Sequence, residues 1–145
     1  MKWITRERAK VDRVACPWLI RKFIDRAAEF LFVPVSEVMD QARRHGAIPF
    51  DVPPHPEAKF VHRDGKCTFE VLVEDYKIAD PAVALLAKIV HGADIAGEEN
   101  HTPQSAGLKA IAEGFAETAR DDFDRLEKEF PLYDALYAWC RTQTG

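Results

Sequence analysis

Asp80-Pro81-Ala82-Val83-Ala84-Leu85-Leu86-Ala87-Lys88-Ile89-Val90-His91-Gly92 is the stretch whose reading decides the fold class. Asp80 suits an N-cap. Pro81 suits the first helical position, where a missing N–H costs nothing. Val83, Leu86, Ile89 and Val90 then recur at helical spacing, and Gly92 reads as the stop. Downstream, Thr102-Pro103 repeats the start signal ahead of an apolar stripe of Leu108, Ile111, Ala112 and Phe115. Asp121 to Phe130 reads as a polar, highly charged helix that Pro131 breaks or bends. Leu132 to Trp139 reads as a last, strongly apolar one.

Upstream, Val11, Val14, Ala15, Trp18, Leu19, Ile20, Phe23 and Ile24 also fall at helical spacing. Pro17 lies inside this pattern, either as the first residue of a shorter helix or as a kink in a longer one. Lys2 to Thr5 alternates like a short strand, and Glu29 to Val33 reads as a buried one closed by Pro34. Ser36 is a candidate cap for a helix carrying Val38, Met39 and Ala42 and ending at Gly46. Ile48 to Val52 is a strand that Pro49 restricts to a sheet edge. Residues 60–76 allow two readings. Asp64-Gly65 suggests a hairpin turn, whereas Phe69, Leu72, Val73 and Tyr76 are spaced for a helix that Thr68 can cap. We adopt the helix from Phe69. The expectation is one α+β domain over residues 1–145, predominantly helical, with about five to six helices and a small two- to three-stranded sheet.

Composition narrows the function classes. A chain of 145 residues can bury a core without metal or disulfide staples. No segment nears the roughly 20 apolar residues that span a bilayer, and the basic N-terminus lacks the apolar run of a signal peptide. The expected location is the cytoplasm, with no membrane partner. Cys16, Cys67 and Cys140 form no CxxC pair, which fits reduced thiols. The net charge of −4 argues against a nucleic-acid partner. Yet residues 1–27 hold eight Lys/Arg against three acids, a local +5, which leaves −9 on the remainder. That basic face suits a small oxyanion if it is not merely a solvated helix surface.

Several residues carry chemistry. If Cys16 sits at a helix N-terminus beside Arg13, its thiolate is favoured and it becomes a catalytic candidate; otherwise it is a small buried apolar group. Arg13 and Arg21 offer guanidinium forks for an oxyanion. Trp18 either walls a pocket or is core. His62, ahead of the Arg63-Asp64-Gly65 turn, and Glu70 offer an imidazole and a carboxylate to a divalent metal, against the simpler reading of a surface histidine beside a turn. Asp134, embedded among aromatics, needs a donor, a cation or a metal if buried, and an arginine partner is as good a reading as a ligand role. His91 fits a helix C-terminus. GxGxxG, GxxxxGK[ST], GxSxG and EF-hand patterns are absent, so no nucleotide cofactor is expected.

The blocks WITRERAKVDRVACPWLIRKFID, FLFVP, IPFDV, HRDGKCTFE, DPAVALLAKIVHGAD and LYDALYAWCR together resemble the chromate-resistance (ChrB) domain over essentially the whole chain. Positions matching the family pattern are Asp12, Arg13, Cys16, Trp18, Arg21, Phe50, Asp51, His62, Cys67, Glu70, Asp94, Tyr133, Asp134 and Trp139. In that family the domain occurs alone, in longer chromate-responsive regulators, or fused to rhodanese-like modules. A chain of one domain's length is expected to lack the regulatory half. The resemblance implies a chromate-resistance accessory protein, and three chemistries fit it. In one, Asp12, Arg13, Trp18, Arg21 and Tyr137 form an oxyanion pocket, shaped further by Cys16. In another, His62, Glu70 and Asp134 hold a divalent ion in a small metalloenzyme. In the third, Cys16 performs thiol redox chemistry. All three need the opening helix, the central turn and the closing aromatic helix to face a common cavity. The oligomeric state stays open, a homodimer included.

Overall fold

A computed structural model describes residues 1–145. Its elements are strand β1 (Lys2–Arg6), helix α1 (Asp12–Leu19), β2 (Glu29–Val33), α2 (Val38–His45), β3 (Ile48–Pro49), α3 (Thr68–Asp75), α4 (Pro81–Asp94), α5 (Ser105–Thr118) and α6 (Asp122–Thr144). The sheet is wholly parallel, in the order β2-β1-β3, with Lys2 opposite Glu29 and Trp3 opposite Ile48. Pro49 lies in an edge strand, where its missing N–H breaks no ladder.

Alternation along β1 sorts the two layers. Trp3 joins Phe30, Phe50, α1 and the C-terminal helices in the main core. Ile4 points the other way, into a smaller cluster with Val38 and Ala42 of α2. The chain thus crosses from β1 through α1 to β2 on one face. It then crosses through α2 to β3 on the other. This is a miniature doubly wound arrangement whose switch point lies between β1 and β3.

Local chemistry refines the sequence reading at several points. Pro17 lies within α1, and the chain continues as a π-helical turn over Ile20–Ile24, in which the Asp25 N–H reaches the Ile20 carbonyl at 2.7 Å. Ser36 belongs to a 3₁₀ turn ahead of α2 rather than capping it, although Gly46 does end α2 with φ +62°. Both readings of residues 60–76 contain part of the answer. Arg63 pairs with Lys66 across Asp64-Gly65, both at positive φ, and helix α3 follows at once with Cys67 as its N-cap. Pro131 neither breaks α6 nor ends it.

Gly92 is also not a stop, since α4 continues to Asp94. A Cβ there would lie 2.2 Å from Ser105 Oγ and 2.9 Å from His101 Cβ, so the glycine lets the following loop dock on the helix. Ser105 cannot easily yield, because its hydroxyl donates to the Ile89 carbonyl at 3.0 Å. Alanine is the better helix former by about 1 kcal/mol, but overpacking of this kind costs about 1–3 kcal/mol. Gly92→Ala is therefore expected to lower Tm by several degrees; an unchanged or raised Tm in a thermal melt refutes the packing argument.

Candidate functional site

Beyond the C-terminal ends of β1 and β3, where parallel sheets bind ligands at a switch point, lies a cavity of about 230 Å³. Its lining includes Arg6, Lys10, Asp12, Arg13, Asp51, His62 and Asp94. Each comes from a different structural necessity. Arg6 ends β1. Asp51 follows β3 at φ +49°. Asp12 opens α1, Asp94 closes α4, and His62 precedes the Asp64-Gly65 turn.

Three carboxylates meet one imidazole nitrogen. His62 Nε2 lies 3.3 Å from Asp12 Oδ2, 3.2 Å from Asp51 Oδ1 and 3.2 Å from Asp94 Oδ2. Asp12 is buried and also accepts the first two amides of α3, from Thr68 at 2.8 Å and Phe69 at 3.2 Å. Asp51 accepts the Thr68 hydroxyl at 2.7 Å and the Arg6 guanidinium at 3.3 Å. Asp94 accepts the Asp12 N–H at 3.3 Å. The carboxylates are thus held in place by backbone and hydroxyl donors, not only by their mutual partner.

Electrostatics follow from that crowding. Hydrogen bonds donated to Asp12, Asp51 and Asp94 push the His62 imidazole up to about 12, which favours the imidazolium. Burial, then the charges of Asp94 and Asp51, push the Asp12 carboxyl up, against the pull of His62. Burial opposes ionisation of Asp51 too, but hydrogen bonds from His62 and Thr68 outweigh it and hold its carboxyl low. On the rim, Arg13 leaves its buried Nε without a partner and donates through its terminal nitrogen to the Arg8 carbonyl at 3.0 Å.

The structure brings together only part of the expected set. Asp12, Arg13 and His62 share the cavity. Glu70 does not: it caps α3 through the Cys67 N–H at 2.9 Å and holds His91 Nδ1 at 2.5 Å. Asp134 sits near the surface, accepting the Trp18 indole at 2.8 Å and Lys22 at 3.0 Å. The expected His62–Glu70–Asp134 triad is therefore not one site, because α6 presents Asp134 to the far end of α1. Arg21 is likewise separated from Arg13. Its guanidinium stacks over Phe30 and Phe130, and with Trp18, Lys22 and Arg26 it lines a different cleft. Tyr137 donates to Asp80 at 2.5 Å and faces neither arginine pocket.

Cys16 departs from its expected setting as well. It lies inside α1 rather than at its start, is fully buried, and faces Asp12 at 3.6 Å. Burial, reinforced by Asp12, Asp51 and Asp94, pushes its thiol well up. Cys16 thus packs in the main core, away from the helix start that would favour its thiolate.

Four members of the cavity escaped the residue-level reading: Arg6, Lys10, Asp51 and Asp94. No short-range spacing links them. Asp51 and Asp94 did stand among the positions matching the family pattern, the one signal that pointed to them.

Fold and site together define a mostly helical α+β domain with a histidine-centred carboxylate cluster at the switch point of a small parallel sheet. Residues 3–140 match the family described as ChrB, C-terminal domain, and the chain belongs to that family. Protein ChrB of Cupriavidus metallidurans is 34% identical over 140 residues, which cover 94% of this chain and 40% of that protein. The chain thus spans well under half of that relative's length. No solved structure matches the chain, and no helix is long and apolar enough to cross a membrane.

Proposed function

We propose that the chain serves chromate resistance as an accessory domain that holds a divalent cation on Asp12, His62 and Asp94, with Asp51 beside them. Arg6, Lys10 and Arg13 would receive the oxygens of a small tetrahedral oxyanion at the same cavity. The observation that carries this reading is the convergence of three carboxylates on His62 Nε2 at 3.2–3.3 Å. The three carboxylates share a single positive charge, that of the His62 imidazolium, and a divalent cation in place of its proton would supply two. One nitrogen and several oxygens suit a hard or borderline divalent ion such as Mn²⁺. His62 ligates only as the neutral imidazole, so the cation displaces the proton it holds. The rim cations supply the forks and point charges that tetrahedral anions require.

Calorimetry on the chelator-treated chain tests this reading. Mn²⁺ is expected to bind at micromolar concentration, and Asp94→Asn, which keeps the acceptor for the Asp12 N–H, is expected to weaken it at least roughly tenfold. Chromate or sulfate is expected to bind more tightly with Mn²⁺ present. Arg13→Gln should weaken the anion and leave Mn²⁺ unaffected. Absence of Mn²⁺ binding at millimolar concentration overturns the metal role. Equal anion affinity in wild type and Arg13→Gln overturns the rim's role.

A further inference from the structure

A second group of ligating side chains lies outside this cavity, where the loop after α4 folds back on the helix. His91 Nε2 is 3.1 Å from Glu98 Oε2, and the His91 and His101 rings stack with centroids 4.7 Å apart. The ligand atoms of His91, Glu98 and His101 all lie within 4.8 Å of one another. A zinc ion with bonds of about 2.0–2.2 Å to nitrogen and oxygen fits such a set after small rotations of exposed side chains.

Three features make this a built arrangement rather than a chance meeting of surface groups. Glu70 accepts from His91 Nδ1 at 2.5 Å, which fixes the ring and directs Nε2 outward. Glu70 is itself held by the Cys67 N–H at 2.9 Å. The loop is fixed on α4: the His101 N–H donates to the Glu98 carbonyl at 2.9 Å, Thr102 Oγ1 accepts the Ser105 N–H at 3.2 Å, and Gly92 makes room for His101. His91 is buried whereas Glu98 and His101 are exposed, so one anchored ligand meets two that can adjust.

We infer that His91, Glu98 and His101 form a zinc site, with Glu70 as the positioning residue behind His91 and water completing the coordination. Two imidazoles and one carboxylate suit Zn²⁺ better than the hard ions expected at the oxygen-rich cavity. The site is independent of the Asp12–His62–Asp94 cluster, and its failure leaves that proposal untouched.

Competition between the chelator-treated full chain and a chromophoric zinc chelator tests it. Asp94→Asn is expected to keep the site, whereas His101→Ala, an exposed substitution that spares the fold, should weaken its Zn²⁺ affinity roughly 100-fold. Glu70→Gln should weaken it roughly 10–100-fold, the range for a lost partner behind a ligand. In the Asp94→Asn background, Co²⁺ should give a visible d–d spectrum that disappears when His101→Ala is added. Equal zinc affinity in wild type, His101→Ala and Glu98→Ala overturns the site. So does a Co²⁺ spectrum abolished by Asp94→Asn alone.

Discussion

Replacing Asp122 with alanine is expected to lower the free energy of unfolding by about 3–5 kcal/mol, the cost of removing one partner from a buried ion pair. Asp122 is the first residue of α6, yet it works on the opposite end of the chain. Its carboxylate accepts the Arg8 N–H at 2.9 Å and the Ala9 N–H at 2.7 Å, while Arg125 donates to it at 2.9 Å. Arg8 holds φ +63°, a left-handed conformation that a residue with a Cβ adopts at a cost. That conformation turns two successive amides toward one anion. The alanine variant therefore strands two amides and a buried guanidinium together. The same loop carries Lys10 and leads into Asp12 and Arg13, so the cavity should loosen with it. Urea unfolding with a constant m-value measures the effect. Asp121→Ala is the control, since it removes only an N-cap bond to Asp124 at 2.8 Å and should cost about 1 kcal/mol. Similar losses in the two variants contradict the role assigned to Asp122.

Asp122 also shows where sequence reading stopped. Residues 121–130 read as a charged helix, and charged helices belong in water. The helix is there, but Asp122, Asp124, Arg125 and Glu129 are buried in it. A helical wheel gives the period of the apolar positions. It cannot show that a neighbouring loop presents two amides to a carboxylate. The strands β1 and β2 and the caps at Asp80-Pro81 and Gly46 were legible because they depend on residues adjacent in the chain. The cavity was half legible for the same reason. Asp12, Arg13 and His62 each sit beside a local signal, a helix start or a turn. Asp51 and Asp94 become ligand candidates only when the β1–β3 switch point brings the ends of distant elements together. The misplaced expectations also share a cause. Glu70 and Asp134 do have polar partners, as buried or aromatic-flanked acids must. Their partners are a histidine, an indole and a lysine rather than His62.

Glu129 gives the second large effect, and its sign is opposite. The residue is fully buried, neither carboxylate oxygen has a hydrogen-bond partner, and the Tyr133 hydroxyl one turn later is also unpartnered. Burial pushes the Glu129 carboxyl from 4.5 up to about 8, with Arg125 pulling weakly the other way. Between those limits the native chain keeps a proton that the unfolded chain has released, so stability falls as pH rises through the window. Each unit corresponds to about 1.4 kcal/mol. Water entering around the carboxylate relieves part of that sum, which leaves an expected loss of roughly 3 kcal/mol between pH 4.5 and pH 8. Glu129→Met keeps the volume and removes the charge. It should raise stability at pH 8 by a similar amount and flatten the slope relative to wild type. At pH 4.5 the two proteins should differ by less than about 1 kcal/mol. Paired urea titrations at pH 4.5, 6 and 8 decide the matter, because other titrating groups contribute equally to both proteins and cancel in the difference. A difference that stays flat with pH, or one in which the methionine variant is the less stable at pH 8, would show that the Glu129 carboxylate finds a compensating partner in solution.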